Sequence, residues 1–232
     1  ENSSITNTYM LGNVTANYPN TDSSGNLRVS YVGGITGRSD TDCSSTNVFC
    51  IGDVQALKPN TSGTNFACYV GGILGYGYSL GSSDNSINIK GAFSTGAVSG
   101  EKYVGGIAGY LSNSTGVTAS YSRGAVAGTS QVGGIVGKLQ TTTNRASEVS
   151  YCYSTAQLSG TAGGIIGEMD GNSDTYPAKM DNCYYDYQIG SYSNLVALIN
   201  SGNLPADGTD LTSGPEQLIT YGAKTTNFFY DN

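Results

Sequence analysis

The sequence predicts an all-β fold, a parallel β-solenoid (β-helix) of about five to six coils. One motif, Val-Gly-Gly-Ile-x-Gly, recurs along the chain, and a second motif, aromatic-x-x-Gly-x-Val, alternates with it. Recurrence of this kind indicates a repeat architecture in which each unit packs on the next. The composition agrees, because 34 Gly and 18 Tyr among 232 residues, with only 12% charged residues, favour many short strands joined by turns.

The glycine motif occurs five times, and the last copy has Ala162 in place of its first Val. Its leading Gly falls at positions 33, 71, 105, 133 and 163, so the spacing is 38, 34, 28 and 30 residues. The longer units contain additional turn-forming residues at 19–25, 59–63 and 81–85. Insertions of this kind are tolerated in the loops of a solenoid, where they leave the stack intact.

The aromatic motif supplies one strand per unit, and the glycine motif supplies another. In stacked parallel coils each side chain lies about 4.8 Å from its counterpart in the next coil, so similar residues contact one another. We expect an aromatic and an aliphatic ladder that bury surface worth about 2 kcal/mol per large side chain. The aromatic ladder comprises Tyr9, Phe49, Phe93, Tyr121, Tyr153 and Tyr184, and the aliphatic ladder comprises Ile35, Ile73, Ile107, Ile135 and Ile165.

The paired glycines need a separate explanation, because Gly normally weakens a strand. The Val and the Ile that flank them are three residues apart and cannot share one face of a regular strand. Either the pair forms a bulge or bend, or the strand is buried on both faces and Gly admits a close-packed backbone. The residue after Ile is mostly apolar, as in Leu74, Val136 and Ile166, which favours burial on both faces.

The repeats stop near residue 189. We therefore expect residues 1–189 to form the solenoid and residues 190–232 to form a C-terminal α/β capping segment, since the end of a stack is an open edge that needs cover. The N-terminal end has no equivalent segment, so we expect the chain to be part of a larger protein.

Two short helices and a final strand are predicted in the capping segment. Residues 194–199 read as a helix that begins at Ser191 or Ser193 and ends near Gly202. The second helix follows a capping box at 213–216 and runs through Ile219, and the final strand covers 227–230.

Composition and charge exclude several classes of function. A net charge of −7 offers no basic surface for nucleic acid, and no apolar run approaches the roughly 20 residues needed to cross a bilayer. The chain has no His, which removes His-dependent catalytic triads and the His-containing zinc motifs. We therefore expect no cofactor, no bound metal and no enzymatic activity.

The five cysteines cannot all pair within one chain. Cys152 and Cys183 each precede the aromatic residue of their unit, so stacking of the two units would bring them within disulfide range. Buried free thiols are the alternative for this pair. Cys43 and Cys50 could also pair, which would leave Cys68 alone.

Candidate ligand-binding residues lie in the column that directly follows the glycine motifs. With Tyr78 nearby, Tyr76 and Tyr110 offer a stacking surface for sugar rings. An ordinary solvated turn with exposed tyrosines is the alternative. The full column comprises Arg38, Tyr76, Tyr110, Lys138 and Glu168.

A polysaccharide-active enzyme on a β-helix is the alternative function. A hydrolase would need a carboxylate pair about 5–9.5 Å apart in a groove, and a lyase would need a metal or a basic site. The densest acidic set lies in or beside one late connection and comprises Asp170, Asp174, Asp181 and Asp186.

The alternating motifs resemble the GLUG repeat, in which a Gly-x-Val strand precedes a Val-Gly-Gly-Ile/Leu-x-Gly strand. The resemblance covers residues 7 to about 190, and it is most specific at 96–98 with 103–109 and at 124–126 with 132–137. It implies a bacterial surface or secreted protein, since proteins with this repeat include adhesins and the non-catalytic part of immunoglobulin-A-cleaving metallopeptidases. The repeat itself contributes no catalytic residue.

The expected function is therefore that of a non-catalytic, extracellular repeat domain of a bacterial protein. We expect it to bind host or environmental glycans or surface proteins, or to serve as a rigid spacer. A solenoid suits either role, because it is a stiff rod that lengthens by about 5 Å with each coil and presents its loops as the variable contact surface.

Overall fold

The chain folds into stacked parallel strands, as a computed structural model shows, and the predicted β-solenoid fold is confirmed. Its short strands belong to five parallel sheets, and successive strands along the chain enter the five sheets in a fixed order. The structure describes residues 3–17, 29–57, 68–79, 87–141, 146–171, 178–186, 189, 196–201 and 222–224. Within this part of the chain no helix is long and apolar enough to cross a membrane.

We name the sheets A to E in the order in which the chain enters them, and number the strands along the chain. Sheet A contains β1 (Ser3–Thr6), β6 (Cys43–Thr46), β11 (Ile87–Lys90), β16 (Thr115–Thr118), β21 (Ser147–Ser150) and β26 (Ala178–Asp181). Sheet B contains β2 (Tyr9–Met10), β7 (Phe49–Cys50), β12 (Phe93–Ser94), β17 (Tyr121–Ser122), β22 (Tyr153–Ser154), β27 (Tyr184–Asp186) and β29 (Gly222–Lys224).

The strands of sheet C begin at the last residue of each aromatic motif, and the strands of sheets D and E lie on either side of the glycine pairs. Sheet C contains β3 (Val14–Asn17), β8 (Val54–Leu57), β13 (Val98–Ser99), β18 (Val126–Ala127) and β23 (Leu158–Ser159). Sheet D contains β4 (Ser30–Gly33), β9 (Cys68–Gly71), β14 (Lys102–Gly105), β19 (Ser130–Gly133) and β24 (Ala162–Gly163). Sheet E contains β5 (Thr36–Asp40), β10 (Leu74–Tyr78), β15 (Ala108–Ser112), β20 (Val136–Thr141), β25 (Ile166–Gly171) and β28 (Val196–Ser201).

In the described residues each of the first five coils thus contains five short strands, where the motifs predicted two. The strands of sheet A were missed because they share no motif: Ser-Ser-Ile-Thr in β1 becomes Ile-Asn-Ile-Lys in β11. Their alternation is still typical of a half-buried strand, since Ile87 and Ile89 are buried while Asn88 between them is not. The predicted insertions at 19–25, 59–63 and 81–85 lie outside the described residues.

The aliphatic ladder is confirmed and forms the core. Its backbone hydrogen bonds run from coil to coil, for example from Ile73 N to Ile107 O at 2.9 Å and from Ile107 N to Ile135 O at 2.9 Å. These three side chains are fully buried, as is Ile165 in the next coil, whereas Ile35 in the first coil is only partly buried.

The aromatic ladder is confirmed in its register but lies on the outside of the solenoid. The ring centroids of successive members from Tyr9 to Tyr153 are 4.6–5.1 Å apart, and the ring planes are within 9° of parallel. The expectation that this ladder is buried is wrong, since Tyr9 is 59% exposed and the other members are half-buried. The inward position belongs to the following residue, such as Ser94 or Ser122, each at most 1% exposed.

The glycine pairs pack closely against the inward residues of sheet B. A Cβ on Gly72 would lie 2.4 Å from Ser94 Oγ, and a Cβ on Gly106 would lie 2.6 Å from Ser122 Cβ. The second Gly of each pair therefore lies directly against the inward residue of sheet B, which is a serine in these two coils and the buried ring of Tyr185 opposite Gly164.

The bend interpretation of the glycine pair is correct, and burial on both faces also holds for the motif itself, since residues 104–109 are all buried. The strands of sheet D end at the first Gly, and sheet E begins after the Ile, so the pair and the Ile form the corner between the two sheets. A Cβ on the first Gly would collide with backbone of the same corner, as for Gly71, where Leu74 O would lie 2.1 Å away. The residue before Val in sheet D is only half-buried, as for Tyr69.

The helix predicted over 194–199 is wrong, because Val196–Ser201 forms β28 and pairs in parallel with β25. The short apolar run is compatible with either element, and the unpaired edge of sheet E favours a strand by offering hydrogen-bond partners. Gly222–Lys224 likewise extends sheet B by pairing with β27. The second predicted helix and the predicted strand at 227–230 lie outside the described residues, and the domain boundary at 189 stays a prediction.

The close approach at the glycine pairs predicts a position-specific cost for a single methyl group. Gly72→Ala would place its Cβ 2.2 Å from Gly106 O and should reduce the free energy of unfolding by about 1–3 kcal/mol. Gly12→Ala is the matched control, because nothing lies within 4 Å of its Cβ position, and it should change stability by less than about 0.5 kcal/mol. Urea unfolding of the two variants measures the difference, and equal stabilities would contradict the close packing.

Candidate functional site

Six tyrosines lie together at the corner between sheets D and E. Three occupy the position before Val in sheet D, and three lie on the outer face of sheet E, where Tyr76 and Tyr78 are two residues apart and share a face. All six side chains are half-buried. We call this group the tyrosine cluster: Tyr31, Tyr69, Tyr76, Tyr78, Tyr103 and Tyr110.

Tyr76 is at the centre of the tyrosine cluster. Its ring centroid lies 5.1 Å from that of Tyr31, 5.2 Å from Tyr69, 5.4 Å from Tyr110 and 6.2 Å from Tyr78. The contacts combine stacked and edge-on pairs, the arrangements that the ring quadrupole favours. The cluster is therefore a packed aromatic surface that the sheet corner holds in place.

Cationic side chains border the tyrosine cluster. Arg38 lies over the rings of Tyr31 and Tyr76, 5.4 and 5.6 Å from their centroids. Lys102 Nζ lies 4.9 Å from the ring centroid of its neighbour Tyr103. Such contacts stabilise a cation over an aromatic face. Arg38 also forms an exposed ion pair with Asp40, at 2.9 Å, and the hydrogen bond to Asp40 raises the Arg38 pKa.

A charged network continues from the tyrosine cluster along sheet E. Lys138 Nζ donates to Glu168 Oε1 at 2.8 Å and to Asp170 Oδ2 at 3.3 Å. Gln140 Nε2 donates to the same Asp170 oxygen at 2.9 Å, and the Tyr110 hydroxyl donates to Gln140 Oε1. Lys138 is 9% exposed and Glu168 is 4% exposed, so the ion pair is buried.

Burial and partners set the protonation of these groups. Burial opposes the positive charge of Lys138, but the hydrogen bond and the charge of Glu168, with Asp170, outweigh it and raise the pKa of Lys138. Burial also raises the pKa of Tyr69 and of Tyr76 to about 12. Burial raises the pKa of Tyr110 further, despite an opposing hydrogen bond with Ser112. Tyr69, Tyr76 and Tyr110 therefore present neutral phenols near neutral pH.

The structure brings together the three residues predicted to bind ligand, Tyr76, Tyr78 and Tyr110. Sequence reasoning missed the sheet D tyrosines, although Tyr69 and Tyr103 directly precede the Val of the glycine motif. The two-residue alternation of a β-strand could have identified them, because a buried Val implies that the residue before it faces outward.

The acidic set predicted from the sequence is divided among different sheets. Asp170 lies in sheet E, Asp181 ends a strand of sheet A, and Asp186 ends a strand of sheet B, while Asp174 lies outside the described residues. The carboxylates that do share one face are Glu168 and Asp170, and both contact Lys138 Nζ.

The chain is similar to a crystal structure of a protein described as a putative immunoglobulin A1 protease from Bacteroides ovatus. The TM-score is 0.56 at 20% sequence identity, and the match covers 95% of this chain and 68% of the other. This likeness shows a shared fold. No protein-family model and no curated protein sequence matches the chain.

The expectation that the chain has no enzymatic activity is contradicted by this similarity, because the Bacteroides ovatus protein is described as a protease. The sequence argument rested on the absence of His, and that absence excludes only His-dependent chemistry. Carboxylate and lysine side chains support other reactions, and Glu168, Asp170 and Lys138 lie in mutual contact.

The buried and the exposed ion pairs of sheet E predict unequal effects of removing the cation. Lys138→Ala leaves two carboxylates without their buried partner and should reduce the free energy of unfolding by about 3 kcal/mol. Arg38→Ala, in a pair whose side chains are 47% and 52% exposed, should cost at most about 1 kcal/mol. Urea unfolding at neutral pH tests this.

The stability difference between the wild type and Lys138→Ala should depend on pH. Because the pKa of Lys138 is raised in the folded protein, its contribution is complete below the ordinary lysine pKa of about 10.4 and is lost as the pH rises through the folded value. The stability gap between the wild type and Lys138→Ala should therefore narrow at alkaline pH. A gap that widens with pH would contradict the buried ion pair.

Proposed function

We propose that this chain is an extracellular repeat domain of the GLUG type, from a bacterial surface or secreted protein, that binds neutral glycans through the tyrosine cluster. The observation that carries the proposal is the half-buried group of six tyrosines around Tyr76. The alternating motifs support the repeat type, and the similarity to a Bacteroides ovatus protein supports the bacterial origin.

The chemistry of the tyrosine cluster matches that of a sugar. A sugar ring has an apolar C–H face bordered by hydroxyl groups, and a tyrosine offers an apolar ring with a hydroxyl group at its edge. The phenols of Tyr69 and Tyr76 stay protonated at neutral pH, so they can both donate and accept hydrogen bonds. Aromatic surfaces with a few placed polar groups are typical of small-ligand sites.

The charges around the tyrosine cluster favour a neutral ligand. Arg38 is matched by Asp40, and Lys138 is matched by Glu168 and Asp170. A strongly anionic polymer would meet these carboxylates and a chain of net charge −7. The cluster spans three coils, about 10 Å along the axis, so an oligosaccharide fits it better than a single sugar.

A glycan array with matched tyrosine variants tests the proposal. We expect the wild type to bind neutral oligosaccharides and Tyr76→Ala/Tyr110→Ala to lose at least tenfold in affinity, because the centre of the cluster is removed. Tyr9→Ala/Tyr151→Ala is the control, since these tyrosines are 59% and 62% exposed and lie outside the cluster. Thermal unfolding of every variant checks that the fold is retained.

The outcomes separate the possibilities. Binding that persists in Tyr76→Ala/Tyr110→Ala would reject the tyrosine cluster as the site. Binding retained by Tyr76→Phe/Tyr110→Phe would assign it to the ring faces, and binding lost there would assign it to the hydroxyl groups. No binding by the wild type to any neutral glycan would reject the proposed function.

A second candidate is that the chain acts on immunoglobulin A1, which the similarity to the Bacteroides ovatus protease favours. Incubation of purified chain with immunoglobulin A1 should then give new heavy-chain fragments on a reducing gel. The acidic pair is the first group to replace, so Glu168→Gln/Asp170→Asn should abolish cleavage, while Asp40→Asn, in an exposed ion pair, should not. An intact heavy chain after incubation with the wild type would reject this candidate.

A further inference from the structure

Two of the five cysteines are neighbours in adjacent coils. Tyr153 pairs with Tyr184 in sheet B, and Tyr184 N donates to Cys152 O at 2.9 Å, so Cys152 lies opposite Cys183. Adjacent parallel strands are about 4.8 Å apart, within the range of about 4.4–6.8 Å between Cα atoms that a disulfide spans.

The two thiols point in the same direction from their strands. Cys152 Sγ lies 3.2 Å from Ser150 O in its own coil and 3.7 Å from Val117 O in the coil before. Cys183 Sγ repeats this arrangement, 3.2 Å from Asp181 O and 3.4 Å from Val149 O, and it also hydrogen-bonds the Cys152 side chain. Both residues are free and at most 1% exposed, so both thiols lie in the core of the stack.

The other three cysteines have no such neighbour. Cys43 is paired with Ser3 and Ile87, Cys50 with Met10 and Ser94, and Cys68 with Ser30. The register therefore distinguishes one pair from every other combination. The suggestion that Cys43 and Cys50 pair is not supported, since the two residues lie in consecutive strands of one coil and neither is the other's partner in the register.

A surface cleft lies beside one of the two cysteines. Its volume is about 260 Å³, and it is lined by Tyr151, Cys152, Tyr153, Asn182 and Tyr184. A small reagent in this cleft would therefore lie next to Cys152, whereas Cys183 does not line the cleft. Burial raises the pKa of Cys183 well above its ordinary value, so attack by its thiolate should be slow near neutral pH and faster in mild alkali.

We propose that Cys152 and Cys183 form a disulfide that joins the fifth coil to the sixth when the protein meets a small disulfide oxidant. The Cys152 thiolate attacks one sulfur of the oxidant and expels the first thiolate. The Cys183 thiolate then attacks Cys152 Sγ of the mixed disulfide and expels the second. The two cysteines lose two protons and two electrons, and the oxidant is reduced to two thiols.

The cross-link would act at the last part of the stack that the structure describes in sheet A. It fixes β26 and β27 to the strands of the preceding coil, and it holds Tyr153 and Tyr184, which form two walls of the cleft. A repeat contacts only its neighbours, so a covalent bond between these two coils strengthens the interface that joins them.

Oxidation by glutathione disulfide tests the proposal with the folded protein at mildly alkaline pH. The number of thiols titrated after denaturation should fall from five to three. Trypsin should then release peptides 146–179 and 180–224 as one disulfide-linked species, because Lys179 is the only basic residue between the two cysteines. All three other cysteines lie before Lys90, so a scrambled disulfide gives a different species.

Matched variants complete the experiment. Cys183→Ser should abolish the linked species, whereas Cys43→Ser should leave it unchanged. The oxidised wild type should unfold roughly 5–10 °C above the reduced form, and this rise should be absent in Cys183→Ser. Five titratable thiols after oxidation, a link that involves any other cysteine, or formation only in denatured protein would overturn the proposal.

Discussion

The structure depends on one constraint, which is that equivalent residues of successive coils lie in register about 4.8 Å apart. A ring stacks on a ring and an Ile contacts an Ile because no other neighbour occupies that position. A larger side chain at one position therefore contacts both the coil before it and the coil after it. At the glycine pair even a methyl group would collide with the backbone of the next coil, since a Cβ added to Gly106 would lie 2.2 Å from Gly134 O.

The register, the ladders and the fold class could be predicted from the sequence because they follow from recurrence alone. The face of the sheet on which a ladder lies could not be predicted from the sequence. A strand of two residues, such as Tyr9–Met10, contains no alternation that identifies its buried face, and the glycine pair that packs against this strand lies in a distant part of the repeat. The helix prediction at 196–199 was wrong for a related reason. Four apolar residues are compatible with a helix or a strand, and only the open edge of sheet E decides for the strand.

The candidate site illustrates the same limit. Tyr76 and Tyr110 could be predicted because they recur at one position after the motif, and Tyr78 could be predicted because it lies two residues from Tyr76. Tyr31 and Tyr69 belong to a different sheet, and only the corner at the glycine pair brings them against Tyr76. Sites in a solenoid combine columns that are distant within each repeat, so their composition becomes visible only when the corners are known.

The residue type in the column that follows the glycine motif changes from coil to coil along the axis, and the tyrosine cluster lies where this column contains tyrosines. The column that follows the glycine motif begins with exposed Arg38, continues through Tyr76 and Tyr110, and ends in the buried ion pair of Lys138 and Glu168. The backbone is equivalent at all five positions, so stacking places no demand on which polar or aromatic residue stands there. The inward columns keep the coils together, and the outward column is therefore where the sequence can differ from coil to coil without altering the fold.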